Sequence, residues 1–305
     1  MSILWLASYP KSGNTWLRVF LTNYLRDGDE PACINDLDAM QIVTSRELFD
    51  TFCGGESSDM TGDEIDGLRP DVYTLLAATQ PQSGFHKVHD AYRLLPDGRP
   101  LFPDAASRGA IYIARNPLAV AVSMRYHFND SSYDESIQRL NTATWLSSRT
   151  DRIVPQLRHY LGSWSEHVAS WLDAPKSFPV HLVRYEDLLD SPAESFAAIL
   201  GFAGLPLEED RLAKAIRFSS FASLQAQERS QGFAERAGQG ALFFRRGAAN
   251  GWQEELSAAQ VNRVLAAHGP MMRRLGYWGQ PSSVPHSTPI PRRPWQPRRP
   301  RSRSK

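Results

Sequence analysis

Cysteine is nearly missing from this sequence: Cys33 and Cys53 are the only two, with no CxxC pair and no histidine cluster beside either. That argues against a disulfide framework or a structural zinc site and fits a reducing compartment. Long apolar runs are missing too. Nothing approaches the roughly 20 apolar positions of a membrane-spanning helix, and the opening MSILWLASYP has neither a basic n-region nor the apolar length of a secretion signal. A soluble, cytoplasmic protein is expected. Net charge is small, +1 over 305 residues, but it is unevenly spread. Six arginines, one lysine and no acid fall between His286 and Lys305, which leaves 27 basic against 33 acidic residues elsewhere. The body therefore calls for no polyanionic partner. From Pro281 onward, prolines and arginines read as a disordered tail, residues 281–305, beyond a domain spanning 1–280. With Trp295 as its only aromatic residue, the tail lacks the interleaving of a single-strand nucleic-acid binder.

What remains is a chain with 42% hydrophobic residues, enough for a sizeable core. Apolar strands at Ile3–Ser8, Gly84–His89, Ala110–Arg115 and Val180–Tyr185 alternate with helical patterns at Asn14–Arg26, Leu118–Phe128, Ile153–Leu172, Ser191–Leu200, Glu208–Phe218 and Ser257–Leu275. Residues 27–83 are polar and give only short helices near 45–53 and 70–79. The alternation predicts an α/β fold: one domain with a central parallel sheet flanked by helices, and ligands in the crevice at the strands' carboxyl ends.

Three segments fall at such ends. The first is LASYPKSGNTWLRVF, residues 6–20. Backbone N–H groups from Ser12, Gly13, Asn14 and Thr15 at a helix start form an anion cradle, to which Lys11 adds a point charge. The lysine precedes the loop's only glycine, unlike the triphosphate loop G-x-x-x-x-G-K-[ST]. A plain strand-helix turn with a hydroxyl cap would look the same. The second is GFHKVHDAYRLLP, residues 84–96, where strand alternation turns Lys87 and His89 to one face and His86 to the other. They could supply a charge stabiliser and a general base, or sit as solvated edge residues. The third is IYIARNPLAVAVSMRYHF, with Arg115 at a strand end and Ser123 two turns into the next helix. They could hold a second phosphate, or Arg115 could pair with a carboxylate.

Together these segments resemble the sulfotransferases that use 3′-phosphoadenosine 5′-phosphosulfate (PAPS). YPKSGNTW is similar to that family's phosphosulfate loop, ARNPLAVAVS to its 3′-phosphate motif, VRYEDLL at 183–189 to its next strand, and FFRRGAANGW at 243–252 to its late motif. By this resemblance Lys11 meets the phosphosulfate at the bond that breaks, while Ser12 to Thr15 hold the 5′-phosphate. Trp16 and Phe221 sandwich the adenine, and Tyr185 and Ser219 contact its edge. Arg115, Ser123, Arg245, Arg246 and Gly247 hold the 3′-phosphate, with Phe243 in the same late motif. His89 is the implied base, expected to titrate near neutrality, and Lys11 and Lys87 the implied charge stabilisers; PAP is the product, and no metal is implied.

The sequence departs from the family at several points. Asn14 replaces a threonine, the proline of K-T-H-x-P is missing after Lys87-Val88-His89-Asp90, and the late Gly-Asp-Trp has become Asn250-Gly251-Trp252. The family's dimerisation pattern would fall on Gln253, Ser257, Ala258 and Asn262 and is not present, so that dimer is not expected. A P-loop kinase or hydrolase and a catalytically silent nucleotide-binding protein are the competing classes. The implied acceptor is a small molecule or a glycosylated natural product, read by residues 27–83, 129–152 and 226–242, with Phe128, Tyr133, Trp145 and Phe233 as candidate apolar lining.

Overall fold

A computed structural model describes residues 2–37, 40–79, 84–147, 153–236 and 242–278. The 281–305 tail lies outside them. In chain order the elements are β1 (Ile3–Ser8), α1 (Asn14–Arg26), α2 (Arg46–Cys53), α3 (Gly62–Thr79), β2 (Phe85–Val88), β3 (Ser107–Ala114), α4 (Pro117–Phe128), α5 (Tyr133–Asn141), β4 (Trp145–Leu146) and β5 (His159–Tyr160). They continue with α6 (Trp164–Leu172), β6 (Val180–Arg184), α7 (Tyr185–Asp190), α8 (Pro192–Phe202), α9 (Glu209–Phe218), α10 (Phe221–Gln231), α11 (Trp252–Glu255) and α12 (Ala258–Arg274).

Strands β2, β1, β3 and β6 lie in that order in one parallel sheet. Both of its faces are covered: β1 is buried at every position and apolar from Ile3 to Ala7. Ile3, Trp5 and Ala7 join a core with α3, α4 and α6 residues, while Leu4 and Leu6 pack with Phe20 and Tyr24 of α1 and Phe196 and Ile199 of α8. Period-two alternation thus divides one strand between two cores. Because the strands are parallel, Ser8, Val88, Ala114 and Arg184 all end at the same edge. The loops that follow them converge there.

Two helix expectations need correction. The pattern over 153–172 is helical only from Trp164: residues 153–158 are irregular, and His159–Tyr160 pairs antiparallel with Trp145–Leu146. Gly162, at φ 65°, breaks the chain, and a capping box between Ser163 and Glu166 starts the helix. The polar 27–83 region holds an 18-residue helix, α3, with Pro70 inside it. Its polar residues are partly core. Arg69 is fully buried, paired with Asp90 at 2.5 Å and with Asp66, so charged positions there satisfy one another instead of facing water.

Candidate active site

At the converging strand ends lies a cleft of about 690 Å³. Its floor is the turn between β1 and α1. Lys11 takes a left-handed conformation (φ 66°) and Gly13 follows at φ 105°. A Cβ on Gly13 would lie 2.6 Å from Tyr185 Cδ2, so glycine is required both by backbone angle and by space. The first bond of the helix runs from Leu17 N–H to Gly13 O, so the N–H groups of Asn14, Thr15 and Trp16 precede it and remain available to an anion. The Asn14 side chain does not face the cleft as a donor. Its Nδ2 donates to Leu6 O at 2.7 Å and to Ser8 Oγ at 3.2 Å, tying the turn to β1. Ser12 is buried beneath the turn, its Oγ without a hydrogen-bond partner.

Lys11 Nζ lies over the Phe243 ring, 3.5 Å from its centroid. Burial, then the neighbouring Lys87 and Arg115 charges, lower its pKa to about 7. Lys87 and His89 line the same cleft from the end of β2, whereas His86 points into the interior, as alternation predicts. His89 Nδ1 lies 2.8 Å from Ser8 O and 3.3 Å from Ser8 Oγ. A carbonyl can only accept, so Nδ1 carries the proton and Nε2 keeps its lone pair. Burial and the Lys87 charge hold the His89 pKa well below its usual value, not near neutrality as the sequence led us to expect. The imidazole is therefore neutral. His167 Nε2 lies 3.0 Å from His89 O, and Tyr112 hydroxyl 2.8 Å from His167 Nδ1, which fixes the backbone beneath His89. The missing proline is replaced by a bond that proline could not make: Ala91 N–H donates to Tyr160 O at 2.8 Å.

Arginines line the same cleft. Arg115 lies over the Tyr185 ring and donates to Lys11 O at 3.0 Å and Ala248 O at 3.3 Å, joining the floor to the 243–248 segment. Its acceptors are main-chain carbonyls, not the carboxylate that was the simpler expectation. Ser123 on α4, Trp16, Tyr185 and Phe221 also line the cleft, with Phe243, Arg245, Arg246 and Gly247. Gly247, at φ 62°, abuts Phe221: a Cβ there would be 2.3 Å from Phe221 Cδ2. Ser219 is not on the wall. It is fully buried, and its hydroxyl donates to Ala215 O.

Several residues that shape this cleft carry no sequence signal of their own. Glu228 accepts from Phe243 N–H at 2.6 Å and Phe244 N–H at 2.8 Å, setting the course of the late motif. Glu255 pairs with Arg245 at 2.8 Å, and Glu254 with Arg246 at 3.2 Å. Glu235 pairs with Lys87 at 2.7 Å and with Arg18. Of the candidate acceptor residues, Phe128 lines the cleft. Tyr133 donates to Glu255, the Trp145 ring packs against the Arg93 and Arg158 guanidinium groups, and Phe233 borders a second cavity. Among the described residues there is no group of three or more His, Cys, Asp or Glu side chains able to hold a metal ion, and no helix long and apolar enough to cross a membrane.

A family model described as a sulfotransferase domain matches residues 2–276. Mouse sulfotransferase 1B1 is 30% identical over 216 residues, which cover 71% of this chain and 63% of that protein, less than two thirds of its length. Dog sulfotransferase 1A1 is 26% identical over 279 residues, 90% of this chain and 84% of that one. The crystal structure of mouse sulfotransferase SULT7A1 complexed with PAP shares the fold, with a TM-score of 0.56 and 22% identity over 89% of this chain and 84% of that chain.

Proposed function

The chain belongs to the sulfotransferase family, and we propose that it moves a sulfuryl group from PAPS to a hydroxyl or amine of a small-molecule or glycosylated natural-product acceptor. The observation that carries this reading is the charge layout of one cleft. Lys11 of the β1–α1 turn, Lys87 and His89 from the end of β2, Arg115 and Ser123 from the β3–α4 segment and Arg245 of the late motif all line it. Cations contributed by several separate segments suit a ligand with more than one anionic group. Two local features fit such a ligand: Gly13 and Gly247 line the cleft in left-handed conformations, packed against the Tyr185 and Phe221 rings too closely for any side chain.

When bound, the donor supplies an activated sulfuryl group at its phosphosulfate anhydride. The Asn14–Trp16 amides and Lys11 hold the 5′-phosphate, and the Trp16 and Phe221 rings flank the base. Arg115, Ser123 and the Arg245–Gly247 segment hold the 3′-phosphate, Arg245 exchanging Glu255 for it. His89 Nε2, already neutral, takes the acceptor's proton as the new bond forms. Lys11 and Lys87 stabilise the charge that develops on the leaving oxygen. In-line transfer of this kind depends mainly on positioning and electrostatics, which two fixed ammonium groups and a fixed imidazole supply.

Calorimetry with 3′,5′-adenosine bisphosphate and with AMP tests the donor assignment. A charge-assisted contact contributes about 1.5–3 kcal/mol, so the bisphosphate should bind at least ten-fold more tightly, and Arg115→Ala should remove most of that preference. Equal affinities for the two nucleotides would sink the assignment.

A further inference from the structure

One carboxylate in the cleft has no part in the reading above. Glu235 lies in the turn after α10, mostly buried, and its Oε2 accepts from Lys87 Nζ at 2.7 Å while Oε1 accepts from Arg18 Nη1. Arg18, buried on α1, donates through Nε to Met40 O at 3.1 Å. The chain of contacts Met40–Arg18–Glu235–Lys87 is therefore anchored to backbone at its far end. It reaches the cleft at Lys87.

We propose that Glu235 is a positioning residue for sulfuryl transfer: a fixed counter-ion, held by Arg18, that aims the Lys87 ammonium into the donor cleft and supplies its compensating charge. This rests on the reading that Lys87 acts on the donor. An ammonium has three donors and no acceptor, so one hydrogen bond to Glu235 leaves two for the cleft. Two cations around one carboxylate leave a net positive charge, and the site still attracts an anion.

Lys87 needs such a partner because of what else faces it. Arg18 approaches from α1, Lys11 from the β1–α1 turn and His127 from α4, while His89 and His159 approach from the ends of β2 and from β5. The three histidines have pKa values lowered chiefly by burial, to about 3 for His127 and about 4 for His159 and well below normal for His89, so none is charged. Lys11 and Arg18 are like charges. Burial lowers the Lys87 pKa and Glu235 opposes that shift. Burial alone would raise the Glu235 pKa, but Lys87 and Arg18 bring it to about 2. Glu228 is the further carboxylate in range, and it acts on Lys11. Without Glu235, a desolvated Lys87 beside Lys11 would release its proton more readily.

The sequence contains only five lysines, at 11, 87, 176, 214 and 305, so the titration of Lys87 can be read directly. Protein labelled with ¹³C-lysine is followed by NMR of the Cε signals against pH, without ligand, and Lys87→Met identifies the resonance. In Glu235→Gln, Lys87 should titrate at least one pH unit lower than in the parent protein. Glu235→Asp should restore most of that titration while kcat stays reduced more than donor KM rises, because the charge returns but the aim does not. Superimposable titration curves in Glu235→Gln and parent overturn the proposal, as does a shifted curve with unchanged kcat. If Lys87→Met leaves kcat intact, the catalytic reading of Lys87 fails instead, and with it the role given to Glu235, although the titration shift would stand. Absence of any transfer from PAPS in the parent protein counts against the proposed function, and the NMR curves still decide whether Glu235 is the counter-ion.

Discussion

Lys11 turns donor binding into a proton-linked event. Its pKa, lowered to about 7 by burial and by the Lys87 and Arg115 charges, leaves it about nine-tenths protonated at pH 6 and about one-tenth at pH 8. An anion over the β1–α1 turn favours the ammonium form and moves the pKa back toward the usual ~10.4. Binding of 3′,5′-adenosine bisphosphate at pH 8 should then take up roughly 0.9 proton per site, and affinity should fall about fifty-fold, or ~2.3 kcal/mol, between pH 7 and pH 9. The ligand's own phosphates are largely ionised in that window, because a second phosphate pKa lies near ~6. Calorimetry in two buffers of different ionisation enthalpy reads the proton count from the slope of observed enthalpy. Lys11→Arg should abolish the uptake, since a guanidinium stays charged throughout. A slope near zero for the parent protein, with affinity flat from pH 7 to pH 9, would refute the reasoning.

Two further outcomes follow from the geometry. His89→Ala should leave bisphosphate affinity nearly intact and lower turnover by about 10²–10⁴-fold; turnover that survives in steady-state assays would place the base elsewhere. Gly247→Ala forces a left-handed alanine, at about 1–2 kcal/mol, and its Cβ would collide with Phe221. Nucleotide affinity should drop roughly ten-fold or more in a binding titration, with partial recovery in Gly247→Ala/Phe221→Ala; unchanged affinity in the single variant would show that this close approach does not shape the nucleotide site.

How much of this was legible in the sequence depended on where each residue finds its partner. The β1 and α1 boundaries could be read because their signals are local: an apolar run, Tyr9-Pro10, then a 3.6-residue pattern. Strand alternation correctly separated Lys87 and His89 from His86. The 153–172 segment misled because apolar spacing alone was followed, although Ser163-Trp164-Ser165-Glu166 carries a capping-box signature that marks the true helix start. In 27–83 the signal was hidden by a buried charge network. Arg69 and Asp66 occupy core positions, which breaks the link between polarity and exposure on which periodicity depends. Glu235 and Glu255 could not be found by motif. Glu235 meets Lys87 across 148 positions of sequence, and that pairing exists only once the loop after α10 has folded against β2. The Glu255 pair with Arg245 is closer in sequence, but an acid near an arginine predicts nothing specific until α11 is formed.

The central claim is that this cleft uses a phosphosulfate donor with charge supplied by its own lysines. It is tested most directly by running the protein with sulfur-labelled PAPS and, separately, with ATP, each over an acceptor panel and each with magnesium or with EDTA, and identifying products by mass spectrometry. The account predicts a sulfated acceptor and PAP from the first donor, undiminished in EDTA, and no turnover of ATP. Metal-dependent turnover of ATP, with PAPS left intact, would contradict it.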